Sequence, residues 1–168
     1  MLIVEDGSIV AGADSYVSLI DARALATKLG WELPADDTAA EIALRNGAIY
    51  IGLQEPQMCG TRVSPSQSLA YPRQGVSLFG YPVAITSIPV QIIQAQIAAA
   101  AEYGTGSDVR GNDDGRMTSM ERVEGAVTVQ YFNNGNSGST IVITKAMDAL
   151  RPLLCGNNNG FEFNVYRG

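Results

Sequence analysis

The chain has 168 residues, 11 Lys and Arg against 17 Asp and Glu, no histidine, and a formal net charge of −6. That length predicts one domain with room for a real core, and the acidic balance argues against electrostatic capture of nucleic acid or of an anionic membrane surface. The missing histidine excludes Ser-His-Asp and Cys-His catalysis and any His-containing zinc site, so composition points away from an enzyme.

The two cysteines, Cys59 and Cys155, have no Cys-x-x-Cys partner and make no metal site by spacing. The start, Met1 to Asp6, has neither a basic region nor a long apolar run of the kind that directs secretion. Both thiols are therefore expected to be reduced and cytoplasmic. No apolar run approaches a membrane span. The last third concentrates glycine and asparagine, as in Asn133-Asn134-Gly135-Asn136 and Asn157-Asn158-Asn159-Gly160. Such residues tolerate positive φ and carry little core-forming surface. The pattern predicts a compact helical body followed by extended arms.

In chain order, Asp14-Ser15 predicts a cap for a first helix running to about Leu29, with Gly30 past its end. Its apolar residues (Tyr16, Val17, Leu19, Ile20, Leu25, Leu29) wrap most of the circumference. That fits either a central core helix or one that also meets a neighbouring subunit. Asp36-Asp37-Thr38 opens a second helix to about Leu53, with acids where the dipole favours them. Ala39, Ile42, Ala43, Asn46, Ile49, Tyr50 and Leu53 form its apolar face, and Glu41 and Arg45 sit four apart on its surface.

From Pro56 to Pro89 the prolines forbid long regular elements. One short turn is expected after Ser64-Pro65. The mixture of aromatics, arginines and prolines predicts a long loop ordered against the body. A third helix runs from Pro89 to Tyr103, with Val90, Ile93, Ile97 and Ala100 as an apolar stripe. Its reverse side, Ala95, Ala98 and Ala99 with glutamines in place of charges, suits a protein–protein contact.

After a Gly/Asp loop comes a β-hairpin at about 116–132, whose apolar face holds Val127, Val129 and Tyr131. An isolated hairpin is marginal in water, so it must lean on the body or contact a neighbour. Thr140 to Ile143 adds a third strand or leads into a last helix capped by Thr144, with Met147, Leu150 and Leu154 inward and Pro152 breaking its end. The tail alternates apolar and polar, with Phe161, Phe163, Val165 and Tyr166 on its apolar side. It pairs within its own chain or adds to a neighbour's sheet.

Nothing in this pattern assembles a catalytic or cofactor site. The carboxylate pairs Asp36-Asp37 and Asp113-Asp114 fall at a helix start and in a turn-rich loop. The segment Asp108 to Gly115 lacks the alternation and terminal glutamate of a calcium loop. Neither lysine, Lys28 or Lys145, follows a phosphate-binding glycine loop. Arg62, Tyr71 and Arg73, with Phe79 and Tyr81, fit stacking aromatics beside cations. They fit better as organisers of the proline-rich loop.

One stretch carries a resemblance. Gly60-Thr61-Arg62-Val63, then Gln67-Ser68-Leu69-Ala70-Tyr71-Pro72-Arg73-Gln74-Gly75, then Ile88-Pro89 opening an Ala-rich helix, resembles a tailed-phage family. Members are often labelled DnaT-like single-stranded-DNA-binding proteins and look like head-to-tail connector proteins. Tryptophan is common in that family where this chain has Tyr71. Ala13-Asp14-Ser15-Tyr16-Val17 is similar to the family's N-terminal helix, and the resemblance covers about residues 1–155.

The resemblance implies a mainly α (α+β) adaptor domain over residues 1–155 and an extended C-terminal arm over 156–168. It implies a non-enzymatic virion protein without cofactor or metal. It also implies a dodecameric ring that docks under the portal protein and extends the DNA channel to a downstream stopper or tail-terminator protein. Double-stranded DNA would pass without specific binding, and no membrane is involved. The protein would sit in the virion neck, and in host cytoplasm during assembly. Within that reading Phe161, Phe163, Val165 and Tyr166 form the portal-contact arm. Arg62, Gln67, Tyr71, Pro72 and Arg73 organise the loop, and Val127, Val129 and Tyr131 meet a neighbour. The alternative is a DnaT-like single-stranded-DNA-binding protein using Arg62, Tyr71 and Arg73.

Overall fold

The computed structural model describes residues 1–104 and 143–155. The hairpin residues Val127, Val129 and Tyr131 lie outside the described residues. So do the arm residues Phe161, Phe163, Val165 and Tyr166.

The architecture is mainly α with small β pairs. Helix α1 spans Leu19–Leu29, α2 Asp37–Leu53, α3 Val90–Gly104 and α4 Thr144–Leu150. Single 3₁₀ turns follow α2 at Glu55–Gln57 and α4 at Arg151–Leu153. Between α2 and α3, β1 (Thr61–Arg62) pairs antiparallel with β2 (Arg73–Gln74), Arg62 opposite Arg73. Then β3 (Ser77–Leu78) pairs antiparallel with β4 (Tyr81–Pro82), Leu78 opposite Tyr81.

Helix α1 starts later than the Asp14-Ser15 signal predicts. Ser18 is its cap, accepting from the Asp21 N–H at 3.1 Å. Asp14 is engaged elsewhere, taking the Ile3 N–H at 2.7 Å and Arg45 Nε at 2.6 Å. Tyr16 and Val17 therefore enter the core ahead of the helix. The buried face of α1 is only Ala22 and Ala26, and Ile20 stands 82% exposed. Asp36 caps α2 as its sequence predicts, accepting from the Ala39 N–H at 2.8 Å. The cap before α4 is Ile143, which makes no side-chain capping bond, so Thr144 is the first helical residue rather than the cap.

Helices α2 and α3 form the central pair. Gly47 lets them touch: a Cβ there would stand 2.4 Å from the Gln96 carbonyl oxygen. The Ala/Gln side of α3 is consumed by this packing. Ala95, Ala98, Ala99 and Gln96 are all fully buried, which corrects the expectation that this side meets another subunit. Gln96 ties three segments together. Its Oε1 accepts the Tyr16 N–H at 2.9 Å, and its Nε2 donates to Ser15 Oγ at 2.8 Å and to Leu44 O at 2.9 Å. A buried amide is tolerable only when satisfied in this way.

The core has two connected clusters. One gathers Tyr16, Tyr50, Ile51, Met58, Tyr71, Val76, Ile92, Leu150 and Leu153, and the other Val17, Ala22, Ala26, Leu44 and Ile97. The long loop therefore supplies core, through Met58, Ala70, Tyr71 and Val76.

The cysteines depart from their expected free state: Cys59 and Cys155 form a disulfide. Met58 and Leu154 face each other in an antiparallel bridge, and the Cys59 N–H donates to Leu153 O at 2.9 Å. This local pairing brings the two Cα atoms to 4.8 Å although 96 positions separate them in sequence. Spacing rules read only short separations, so this contact is invisible to them.

Candidate functional site

The loop between α2 and α3 is held by two arginines and one carboxylate. Glu55, in the turn that follows α2, receives Arg62 Nε and Nη2, each at 2.6 Å, and Arg73 Nη1 at 3.0 Å. Arg62 Nη1 also donates to Gln67 O at 2.8 Å. Arg73 Nε donates to Cys59 O and its Nη2 to Gly60 O, at 2.8 and 2.7 Å. Gln67 folds inward and donates from Nε2 to Leu69 O and Pro72 O, at 2.8 and 3.0 Å. The two arginines bond carbonyls that no ladder satisfies, as buried backbone requires. Their guanidinium groups, Arg62 first, hold the Glu55 carboxyl below its ordinary range against the opposing effect of burial.

Arg62, Gln67, Tyr71, Pro72 and Arg73 are thus brought into one cluster, with the Tyr71–Pro72 peptide bond cis. Tyr71 is fully buried, and its N–H donates to Tyr16 Oη at 3.1 Å. Burial pushes the Tyr71 hydroxyl up to about 12. A ring so enclosed cannot stack on a base, and Arg62 and Arg73 are engaged with Glu55. This corrects the assignment of nucleic-acid contact to Arg62, Tyr71 and Arg73. The residue missed on sequence grounds is Glu55. An acidic residue just past a helix end, followed by two arginines, is the signal that could have found it.

The same pairing runs through the rest of the described residues. Arg23 pairs with Asp37, Arg45 with Asp14, Lys145 with Glu102 and Arg151 with Asp148. Among the described Lys and Arg side chains only Lys28 has no ion pair within 4.0 Å.

What the described surface does offer is apolar. Ile42, Ile49 and Leu53 stand exposed on one stripe of α2. Ile49 and Leu53, with Ala48, Gly52, Leu69 and Ala70, line a groove of about 410 Å³. Phe79 and Tyr81 stand exposed at the β3–β4 turn, with Ile85 and Val90 nearby in sequence. A second recess, of about 770 Å³, lies between Val4–Asp6, α1 and Thr86–Ile88. Its wall includes Glu5, whose buried carboxylate accepts the N–H groups of Gly7, Ile9 and Val10 at 2.8 to 3.0 Å. Glu5 is therefore fully engaged in holding the N-terminal turn.

A small helical domain with an arginine-stapled loop, paired cations and exposed apolar faces is the class these features define. A family model described as "Putative DnaT-like ssDNA binding protein" matches residues 1–168, and the chain belongs to that family. The description names single-stranded DNA and not a connector. No curated protein and no solved structure matches the chain.

Proposed function

We propose that this chain is a non-enzymatic structural subunit of a tailed-phage head-to-tail connector. It would assemble into a ring beneath the portal and offer a surface to the next neck component. The observation that carries the reading is the pairing of cations beside exposed apolar stripes. Charged side chains hold the subunit together internally, while Ile42, Ile49 and Leu53 face outward with no described residue covering them. Apolar stripes of this kind mark surfaces that another protein covers. The motif from Gly60 to Gly75 supports the virion setting by resemblance. The net charge of −6 suits a channel through which DNA slides without being gripped.

The test is the composition of purified virions and isolated necks, by mass spectrometry and electron microscopy. The expected result is this chain in stoichiometric multiple copies at the neck. Its absence from virions would sink the connector reading.

The second reading is single-stranded-DNA binding, favoured by the family description and by the exposed rings of Phe79 and Tyr81. Fluorescence anisotropy with a labelled oligonucleotide separates the two. Micromolar binding that collapses with added salt, and that Phe79→Ala weakens, supports it. No binding at low salt removes it.

A further inference from the structure

From Gln74 to Ala101 the sequence carries not one charged residue. This stretch builds the β3–β4 hairpin and most of α3. The hairpin turn is Phe79-Gly80, with φ of 54° and 86°. A turn with two left-handed residues ordinarily takes Asn, Asp or Gly first. Phenylalanine is strained there, and the residue is 77% exposed, as is Tyr81. Strain held for an exposed ring gives the isolated fold nothing in return. Among the described residues none covers the ring, which leaves it open to a second molecule. A phosphate backbone is a poor candidate, because the stretch contains no cation to meet it.

An apolar recess lies on α2. Ala48, Ile49, Gly52, Leu53 and Leu69 line it. Its charged members, Asp14 and Arg45, neutralise each other at 2.6 Å. Gly52 leaves it open, for a Cβ there would meet nothing within 4 Å. A recess beside the hairpin, lined by Leu78, Tyr81, Pro82 and Val90 among others, shares no lining residue with the α2 groove, so the two surfaces are separate.

We infer that the Phe79–Tyr81 hairpin of one copy seats in the α2 groove of a second copy, in a head-to-tail contact. The inference rests on the subunit reading and names the surfaces that reading needs. Both surfaces are apolar, and the groove's one charged pair is internally balanced, so closing them strands no unpaired charge. Knob and hole on different faces make a heterologous contact, which repeats into a ring when the rotation closes.

Two variants of the full chain test it. Phe79→Asn places a residue suited to the turn and removes the knob. Gly52→Arg puts a long charged side chain into the hole from a position where a Cβ meets nothing within 4 Å. Thermal melting controls for folding, and Phe79→Asn should melt at or above the parent. In sedimentation velocity up to millimolar concentration, the parent should associate beyond the dimer. Each variant alone should associate about ten- to a hundredfold more weakly, the range for withdrawing one buried aromatic side chain. An equimolar mixture of the two should form dimers and nothing larger, because each variant retains one intact face. Variants that associate like the parent, or a mixture that behaves otherwise, overturn the inference but leave the subunit reading standing. A parent that stays monomeric also overturns the inference, and the virion composition then decides the subunit reading separately.

Discussion

Arg73 Nη1 lies 3.0 Å from Glu55 Oε1, and the arginine side chain is only 6% exposed. The pair joins the turn after α2 to β2. With Arg62 on the same carboxylate it fixes both ends of the motif that carries the family resemblance. The charge is partly buried, so its loss leaves two guanidinium groups facing each other across β1 and β2.

Glu55→Gln should therefore lower stability by about 2–3 kcal/mol, a value reduced from that of a fully buried pair because Arg62 is partly solvated. Denaturant unfolding measures it. The Arg62 and Arg73 contacts lower the folded-state pKa of Glu55 from an unfolded value of 4.5. A lowered folded pKa contributes stability that is full above the unfolded value and drains as pH falls through the folded one. The parent should thus lose this contribution below about pH 4.5. Glu55→Gln should show a flatter acid limb, and an unchanged acid limb would refute the assignment.

Gly47 and Gly52 lie on one helix and predict opposite outcomes. At Gly47 a Cβ would stand 2.4 Å from Gln96 O, which is backbone and cannot swing aside. Gly47→Ala should cost about 3 kcal/mol by forcing α2 and α3 apart. At Gly52 a Cβ meets open space. Gly52→Ala should add up to about 1 kcal/mol through helix propensity. Paired melts of the two variants check both. Equal shifts in the same direction would contradict the close α2–α3 approach.

The helices were legible where their signals are local. Asp36 before an acidic first turn fixed the start of α2, and the apolar stripe after Pro89 fixed α3. Asp14-Ser15 misled because its carboxylate answers to Arg45, a partner 31 positions away. Gln96 misled for a related reason. Its amide reads as a surface residue, yet three partners brought from Ser15, Tyr16 and Leu44 make it a core residue. The arginine staple was legible as a loop organiser, while its acceptor Glu55 and the Cys59–Cys155 pair were not. Long-range pairings are set by the assembled fold, and no periodicity or spacing encodes them.

The disulfide gives a direct measurement. Closing a loop of this length restricts the unfolded chain by about 4–5 kcal/mol on the chain-entropy account. Reduction, or Cys59→Ser, should lower the melting temperature accordingly. The purified native chain should show no reactive thiol until it is denatured in reductant. Two free thiols in the native chain, with a melt indifferent to reductant, would refute the pairing.

Tyr16 and Tyr71 make an informative contrast because one hydroxyl works and the other does not. Tyr16 Oη accepts the Tyr71 N–H at 3.1 Å. The Tyr71 hydroxyl is buried without a hydrogen-bond partner among the described residues. Tyr16→Phe should strand a buried backbone donor and cost about 1–2 kcal/mol. Tyr71→Phe should be neutral or stabilising by about 1 kcal/mol, since it removes a desolvated hydroxyl and keeps the ring. Burial pushes the Tyr71 hydroxyl from 10.0 up to about 12, with Arg73 opposing the shift. A raised folded pKa gives stability that is full below the unfolded value and is lost as pH climbs toward the folded one. The parent should therefore weaken between pH 10.0 and about 12, and Tyr71→Phe should weaken less over that window. Tyr16 and Tyr50 are shifted upward by burial as well, so the alkaline slope should shrink rather than vanish. A Tyr71→Phe variant that is strongly destabilised would mean that the hydroxyl has a partner after all.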